Sequence, residues 1–234
     1  MNQDVETVIA GAPSAPSEAA ARVTRGLLAG GLVAGPLWVG VVLIQMLMRP
    51  GFDIRRHAVS QLSLGDLGWI QVTNFIVAGL LMVACAVGMR RALHGGRAGT
   101  WGPLLVALWG LGLVGAGLFV ADPMNGFPPG TPNVPGHLSG HGALHLLSSS
   151  VAFLSLIAAS GVVFARRGAA LGEPGWTVCS AATGACFLLA WVALAATGAG
   201  IAAINVAFAI AVALAWTWLT LMAARLVRDS RRSS

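Results

Sequence analysis

Residues 26–48 read GLLAGGLVAGPLWVGVVLIQMLM, an unbroken stretch with no charged side chain, and its length decides the fold. A hydrocarbon core about 30 Å thick is crossed by about 20 apolar residues wound as a helix. Five further runs of the same kind follow, at roughly 69–89, 101–121, 141–165, 175–197 and 201–224, each without Asp, Glu, Lys or Arg. Only Gly198, Ala199 and Gly200 separate the last two, so a tight helical hairpin is expected there.

Composition excludes a soluble home for these runs. Hydrophobic residues make up 56% of the 234 residues and charged residues 9%, whereas a soluble domain carries about 25% charged residues. A chain of this length has too much surface to hide six such segments from water. The expected fold is all-α, a bundle of six transmembrane helices in the cell membrane. The expected organisation is a disordered cytoplasmic tail over 1–24, the six-helix domain over 25–225, and an Arg-rich cytoplasmic tail over 226–234. The first residues lack the basic start and short apolar core of a signal peptide, and Asp4, Glu6 and Glu18 fall among them.

All 14 basic residues are Arg. With the N-terminus inside, Arg22, Arg25, Arg90, Arg91, Arg97, Arg166, Arg167, Arg225, Arg228, Arg231 and Arg232 lie on the cytoplasmic side. Only Arg49, Arg55 and Arg56 lie outside. The positive-inside rule therefore puts both termini in the cytoplasm. These Arg residues sit at the ends of apolar runs and form no basic reading face, so nucleic acid is excluded as a partner. Membrane lipids are the expected partners, with a homo-oligomer or a membrane partner subunit as further expectations. Small-residue ridges, Gly26 to Gly35 in the first run and Gly110 to Gly117 in the third, predict close helix packing. Cys85, Cys179 and Cys186 read as small buried residues; Cys179 and Cys186 are too far apart along a helix to bridge. Asn74 and Asn205 read as helix-to-helix hydrogen-bonding groups.

Chargeable residues that do not anchor helix ends collect in two outer segments. One is the loop from Arg49 to Asp66. The other runs from Asp122 to His145. His137, His141 and His145 recur every four residues and so fall on one helical stripe, with Ser148 and Ser149 continuing it. His137 and His145 would be about 12 Å apart in rise, too far to share one ion. The expected metal set is His141 with His145, completed by His57 and Asp122, with Asp53 a further candidate. Zinc or another transition metal would suit it, and an activated water there would serve hydrolysis of a lipid or an amide. Asp53, Arg55, Arg56, Ser60 and His137 are expected to face a substrate, the Arg fork suiting a lipid phosphate. The Asp53–Asp66 loop reads as a short amphipathic helix in the interface plane. It would bring Ser60 and His57 to one face, the spacing of a Ser–His nucleophile, although no Gly-x-Ser-x-Gly elbow surrounds the serine.

The same residues also admit a structural reading. Histidines near an interface can hydrogen-bond across helices, and Asp122 can cap its helix or pair with Arg55 or Arg56, tying the two loops together. The alternative function is then a non-enzymatic partner subunit, or a carrier of lipid or a small solute. Ion-coupled transport finds little support, because the spans hold almost no ionisable residue at the midplane.

Two segments carry a family resemblance. Gly51-Phe52-Asp53, with His57-Ala58-Val59-Ser60-Gln61-Leu62, follows the first span. Phe119 to Asp122-Pro123, then Gly126-Phe127-Pro128-Pro129-Gly130-Thr131-Pro132, precedes the His-rich start of the fourth. In these the sequence resembles the bacterial membrane proteins catalogued as domain of unknown function 998, over about residues 25–225. The resemblance implies a six-span bundle and no established activity, so it adds no substrate, cofactor or catalytic residue.

Overall fold

The computed structural model of the chain describes residues 18–93, 95–133 and 138–232. Six long helices make up most of it: α1 (Glu18–Met48), α2 (Gly68–Ala92), α3 (Gly96–Leu118), α4 (Gly140–Ala170), α5 (Pro174–Thr197) and α6 (Ala202–Arg232). Each is long and apolar enough to span a bilayer. The protein is therefore a multi-pass membrane protein, an all-α bundle of six membrane-spanning helices.

The helices outrun the apolar segments that announce them. At 1.5 Å per residue, the 31-residue α1 and α6 are each about 46 Å long, against a hydrocarbon core of about 30 Å. Residues 18–24, expected as tail, are helical, and α6 continues through the Arg-rich end to Arg232. Residues 1–17 and 233–234 lie outside the described residues. At its other end α3 stops at Leu118, short of the expected boundary. Phe119 is extended there, which turns its carbonyl toward α4.

Residues 49–67, 119–133 and 138–139 and the α5–α6 turn gather at one end of the bundle, here the polar end. The described ends of the chain and the links near Leu93 and Leu171 lie at the other. There Arg91 Nε donates to Thr24 Oγ1 at 3.2 Å. Arg225 grips both Glu173 carboxylate oxygens at 2.6 and 2.7 Å and lies over the Trp176 ring.

Small residues set the helix spacing. A Cβ added to Gly30 would lie 2.7 Å from the Leu81 carbonyl oxygen, one on Gly31 2.8 Å from the Ala223 Cβ, and one on Gly112 2.6 Å from the Ser148 carbonyl oxygen. Such approaches are how helices adhere in lipid, where no hydrophobic effect drives them together. Not every small residue takes part: nothing lies within 4 Å of a Cβ on Gly26. Between the glycine contacts sits an aromatic core. Trp38 stacks on Trp216 at 5.6 Å, Trp109 meets Trp216 edge-on at 5.6 Å, and Trp218 donates to Ser180 Oγ at 3.0 Å. Trp69 and Trp101, near the starts of α2 and α3, are instead exposed, as aromatic side chains at a membrane interface are.

In α4 a π-helical segment, Ala158–Phe164, separates two α-helical ones. It falls where Gly161 crosses Gly184 of α5, where a Cβ on Gly184 would lie 2.7 Å from the Gly161 Cα. α5 is the least buried span. Cys186 on it is exposed and Cys179 half-buried, so only Cys85 meets the expectation of a buried cysteine.

Candidate functional site: the polar end of the bundle

Arg49 organises the polar end. It follows α1 directly, is 8% exposed, and donates from Nη1 to the Leu62 carbonyl at 2.9 Å and from Nη2 to the Leu64 carbonyl. Its guanidinium lies over the Phe127 ring, 5.5 Å from the centroid. Burial lowers its pKa, and the nearby Asp66 carboxylate partly opposes that shift. One cation thus holds the returning half of the first loop and packs on the second.

His57 joins the two loops. It is 2% exposed. Its Nδ1 accepts from the Asp53 backbone N–H at 2.9 Å, so Nε2 carries the proton and donates to the Asn125 carbonyl at 3.0 Å. Phe52 and Phe127 pack around the imidazole, with centroids 5.5 and 5.3 Å away. Gln61 Nε2 donates to the Met124 carbonyl at 3.1 Å, and Arg56 Nη2 donates to Asn133 and to the Asn125 carbonyl. Asn125 can present its carbonyl because it adopts a left-handed backbone, φ 57°.

Residues 32–225 match the family described as Protein of unknown function (DUF998). The chain belongs to that family. No curated protein and no solved structure matches the chain.

The residues expected to hold a metal are distributed, and among the described residues no three His, Cys, Asp or Glu side chains stand close enough to share an ion. His57 has both ring nitrogens engaged by backbone groups, which removes it as a ligand and as a base for Ser60. Asp122 accepts from Ser139 N at 2.8 Å and from Ser139 Oγ at 2.6 Å, while Ser139 Oγ accepts from Gly142 N at 3.0 Å. This relay caps the start of α4, and the Ser139 hydrogen bonds hold the Asp122 carboxyl below its usual range. His145 is buried at 4% and donates from Nδ1 to the carbonyls of Phe119 and Ala116, at 2.8 and 3.0 Å. His141 is exposed, its ring edge-on to Phe119 at 5.9 Å. His137 lies outside the described residues.

Two of the expected substrate-facing residues, Asp53 and Arg55, engage each other. Asp53 forms its ion pair with Arg55 at 2.8 Å, and those hydrogen bonds push its carboxyl down to about 2. Asp122 therefore pairs with neither Arg55 nor Arg56, and the loops are tied by His57, Gln61 and Arg56 instead. Ser60 sits in a short 3-10 helix, Val59–Ser63, the only helical part of the loop expected to form an amphipathic helix. The cause is local: Arg49 claims the carbonyls of Leu62 and Leu64, and Gln61 caps the turn by accepting from Ala58 N at 3.0 Å.

Beneath this cap lies a group that residue chemistry alone did not single out. Gln45 Nε2 donates to Gln71 Oε1 at 2.7 Å, and Asn74 Nδ2 donates to that oxygen at 3.3 Å and to the Trp38 carbonyl at 3.2 Å. All three are buried, joining α1 to α2. Asn74 meets its expected helix-to-helix role. Asn205 Nδ2 reaches instead from α6 to the Arg55 carbonyl, at 3.0 Å. The signal for Gln45 was available: it is the one polar side chain in a run otherwise apolar from Gly26 to Met48.

Proposed function

We propose that this is a non-enzymatic protein of the cell membrane, a partner subunit or lipid carrier that works through its lipid-facing wall. Its polar end is a rigid extracytoplasmic cap. One observation carries the proposal: Asp53, His57 and Asp122 each engage the chain's own groups, with Arg55, with Asp53 N and Asn125 O, and with Ser139. A hydrolytic site needs side chains free to converge on a substrate, and these are engaged by the chain's own groups.

The competing proposal is a metal-assisted hydrolase built on His141, His145 and Asp122. It is favoured by the proximity of Asp122 to both histidines, whose charges help to depress its pKa. Metal content separates the two. Protein purified in detergent after growth with added zinc is expected to carry far less than one transition metal per chain, and a His141→Ala/His145→Ala variant the same. Near-stoichiometric metal in the parent that disappears in the variant would overturn the non-enzymatic proposal.

The orientation proposed with it puts both termini in the cytoplasm. The bias of eleven Arg residues against three supports this. A cysteine introduced at Gly130 is expected to react with an impermeant maleimide on intact cells, and one at Gly172 only after lysis. The opposite pattern would invert the topology.

A further inference from the structure

At the end of the bundle opposite the polar end, α4, α5 and α6 enclose a pocket of about 110 Å³. That is the room of about three to four water molecules. Its walls include Arg167 near the end of α4, Leu171 just beyond it, and Glu173 and Trp176 at the start of α5. Arg225 and Asp229, one turn apart on α6, complete the charged part. The four charges are held differently. Arg225 grips both Glu173 oxygens and lies 4.8 Å over the Trp176 ring, so that pair is closed on itself. Arg167 is half-buried and makes no hydrogen bond or ion pair among the described residues. A guanidinium partly withdrawn from water loses hydration, and anionic oxygens replace it. Asp229 has other interactions, but a carboxylate's two oxygens accept about four donors, so it still admits a cation. The pocket thus presents a guanidinium on one helix and a carboxylate on another. A lone anion drawn to Arg167 is repelled by Asp229, whereas a molecule carrying both signs meets both.

We infer that this pocket takes the headgroup of a zwitterionic phospholipid, phosphatidylethanolamine, with its phosphate on Arg167 and its ammonium toward the Asp229 carboxylate. The planar guanidinium fork suits phosphate. A primary ammonium brings three N–H donors to the carboxylate side, whereas a trimethylammonium brings none and a glycerol headgroup carries no cation. Position favours a lipid over a free solute. The three helices leave the apolar layer here, and half-buried Trp176 stands at that boundary, the depth of headgroups. Leu171, 54% exposed, offers an apolar lip along which an acyl chain runs back into the bilayer. The inference goes beyond the proposed function and does not depend on the polar end, because lipid retention and metal content are read separately.

The full chain is reconstituted in nanodiscs of equal phosphatidylethanolamine, phosphatidylcholine and phosphatidylglycerol, released into mild detergent, and weighed by native mass spectrometry. The parent is expected to retain phosphatidylethanolamine about tenfold over either other lipid. Arg167→Gln is expected to cut that retention about tenfold, the loss of one charge-assisted contact. Asp229→Asn is expected to keep the phosphate contact but to lose the preference for phosphatidylethanolamine over phosphatidylcholine, a change that general loosening of the helix ends does not produce. Equal retention of the three lipids by the parent, a preference for phosphatidylglycerol, or the parent's pattern in either variant would overturn the site. Free phosphoethanolamine, offered to delipidated protein, is expected to bind at least about tenfold more weakly than short-chain phosphatidylethanolamine, since it brings no acyl chain to Leu171. Equal binding of the two would overturn the lipid assignment and leave a site for a soluble zwitterion.

Discussion

Gly110→Leu is expected to prevent the bundle from assembling. A Cβ at this position would lie 2.6 Å from the Gly79 carbonyl oxygen, 3.0 Å from Val83 Cγ2 and 3.1 Å from Val83 N. The contact is reciprocal, since a Cβ on Gly79 would lie 2.5 Å from the Gly110 carbonyl oxygen and 3.1 Å from Val114 N. Backbone atoms on both sides leave no flexible side chain to yield, so α2 and α3 must separate. Overpacking a filled site costs about 1–3 kcal/mol, and more when the backbone must move. Gly110→Ala is expected to cost about 2 kcal/mol, and Gly110→Leu to exceed the margin of about 5–15 kcal/mol on which folded proteins stand. Thermal unfolding and monodisperse yield in detergent report both. The control is Gly40→Ala, where nothing lies within 4 Å and the gain in helix propensity of about 1 kcal/mol acts alone. If Gly110→Leu purified with the parent's stability, α2 and α3 would not pack through these glycines.

Arg49→Ala is expected to destabilise the protein by about 3–4 kcal/mol and to release both polar-end loops. Two hydrogen bonds from a charged donor are lost, each worth about 1.5–3 kcal/mol, and the Leu62 and Leu64 carbonyls are left without a partner. Removing the contact with the Phe127 ring adds to this, while relief from holding a buried cation subtracts. Arg49→Lys restores the charge but not the fork that spans two carbonyls, so it is expected to recover less than half of the loss. Amide exchange localises the effect, with the Val59–Ser63 helix and the strip around Asn125 exchanging faster while mid-span amides of α2 and α3 do not. Uniform loosening of the whole bundle would assign Arg49 a role in helix packing instead.

The depth of these two effects follows what each residue touches, and that separates what could be read along the chain from what could not. Solvent reads a chain locally. Six charge-free runs of about membrane length dictate six spans whatever their order of packing, because lipid tolerates no unpaired backbone and an apolar helix satisfies its own. The number of helices, their approximate ends and the glycine ridges were therefore legible from residues 26–48 onward. So was the concentration of polar chemistry in two segments. Helix ends were misplaced by several residues: α1 begins early, at Glu18, because a helix continues past the hydrocarbon as long as its hydrogen bonds are met, whereas α3 stops early, at Leu118, where extended Phe119 gives its carbonyl to His145.

The partners of the polar residues were not legible. His57, Asp122 and His145 have the residue types of a metal site, and their spacing along the chain permits one. Which groups they meet depends on backbone carbonyls and amides more than twenty positions away in several cases: Asn125 O for His57, Ala116 O and Phe119 O for His145. Every residue carries such groups, so they leave no mark in the sequence. The six-helix membrane bundle was written in side-chain hydropathy, a property each residue has alone. Only the tertiary structure decided that His57, His145, Asp53 and Asp122 engage the chain's own groups, because a hydrogen bond is a property of two groups and of the path that brings them within 3 Å.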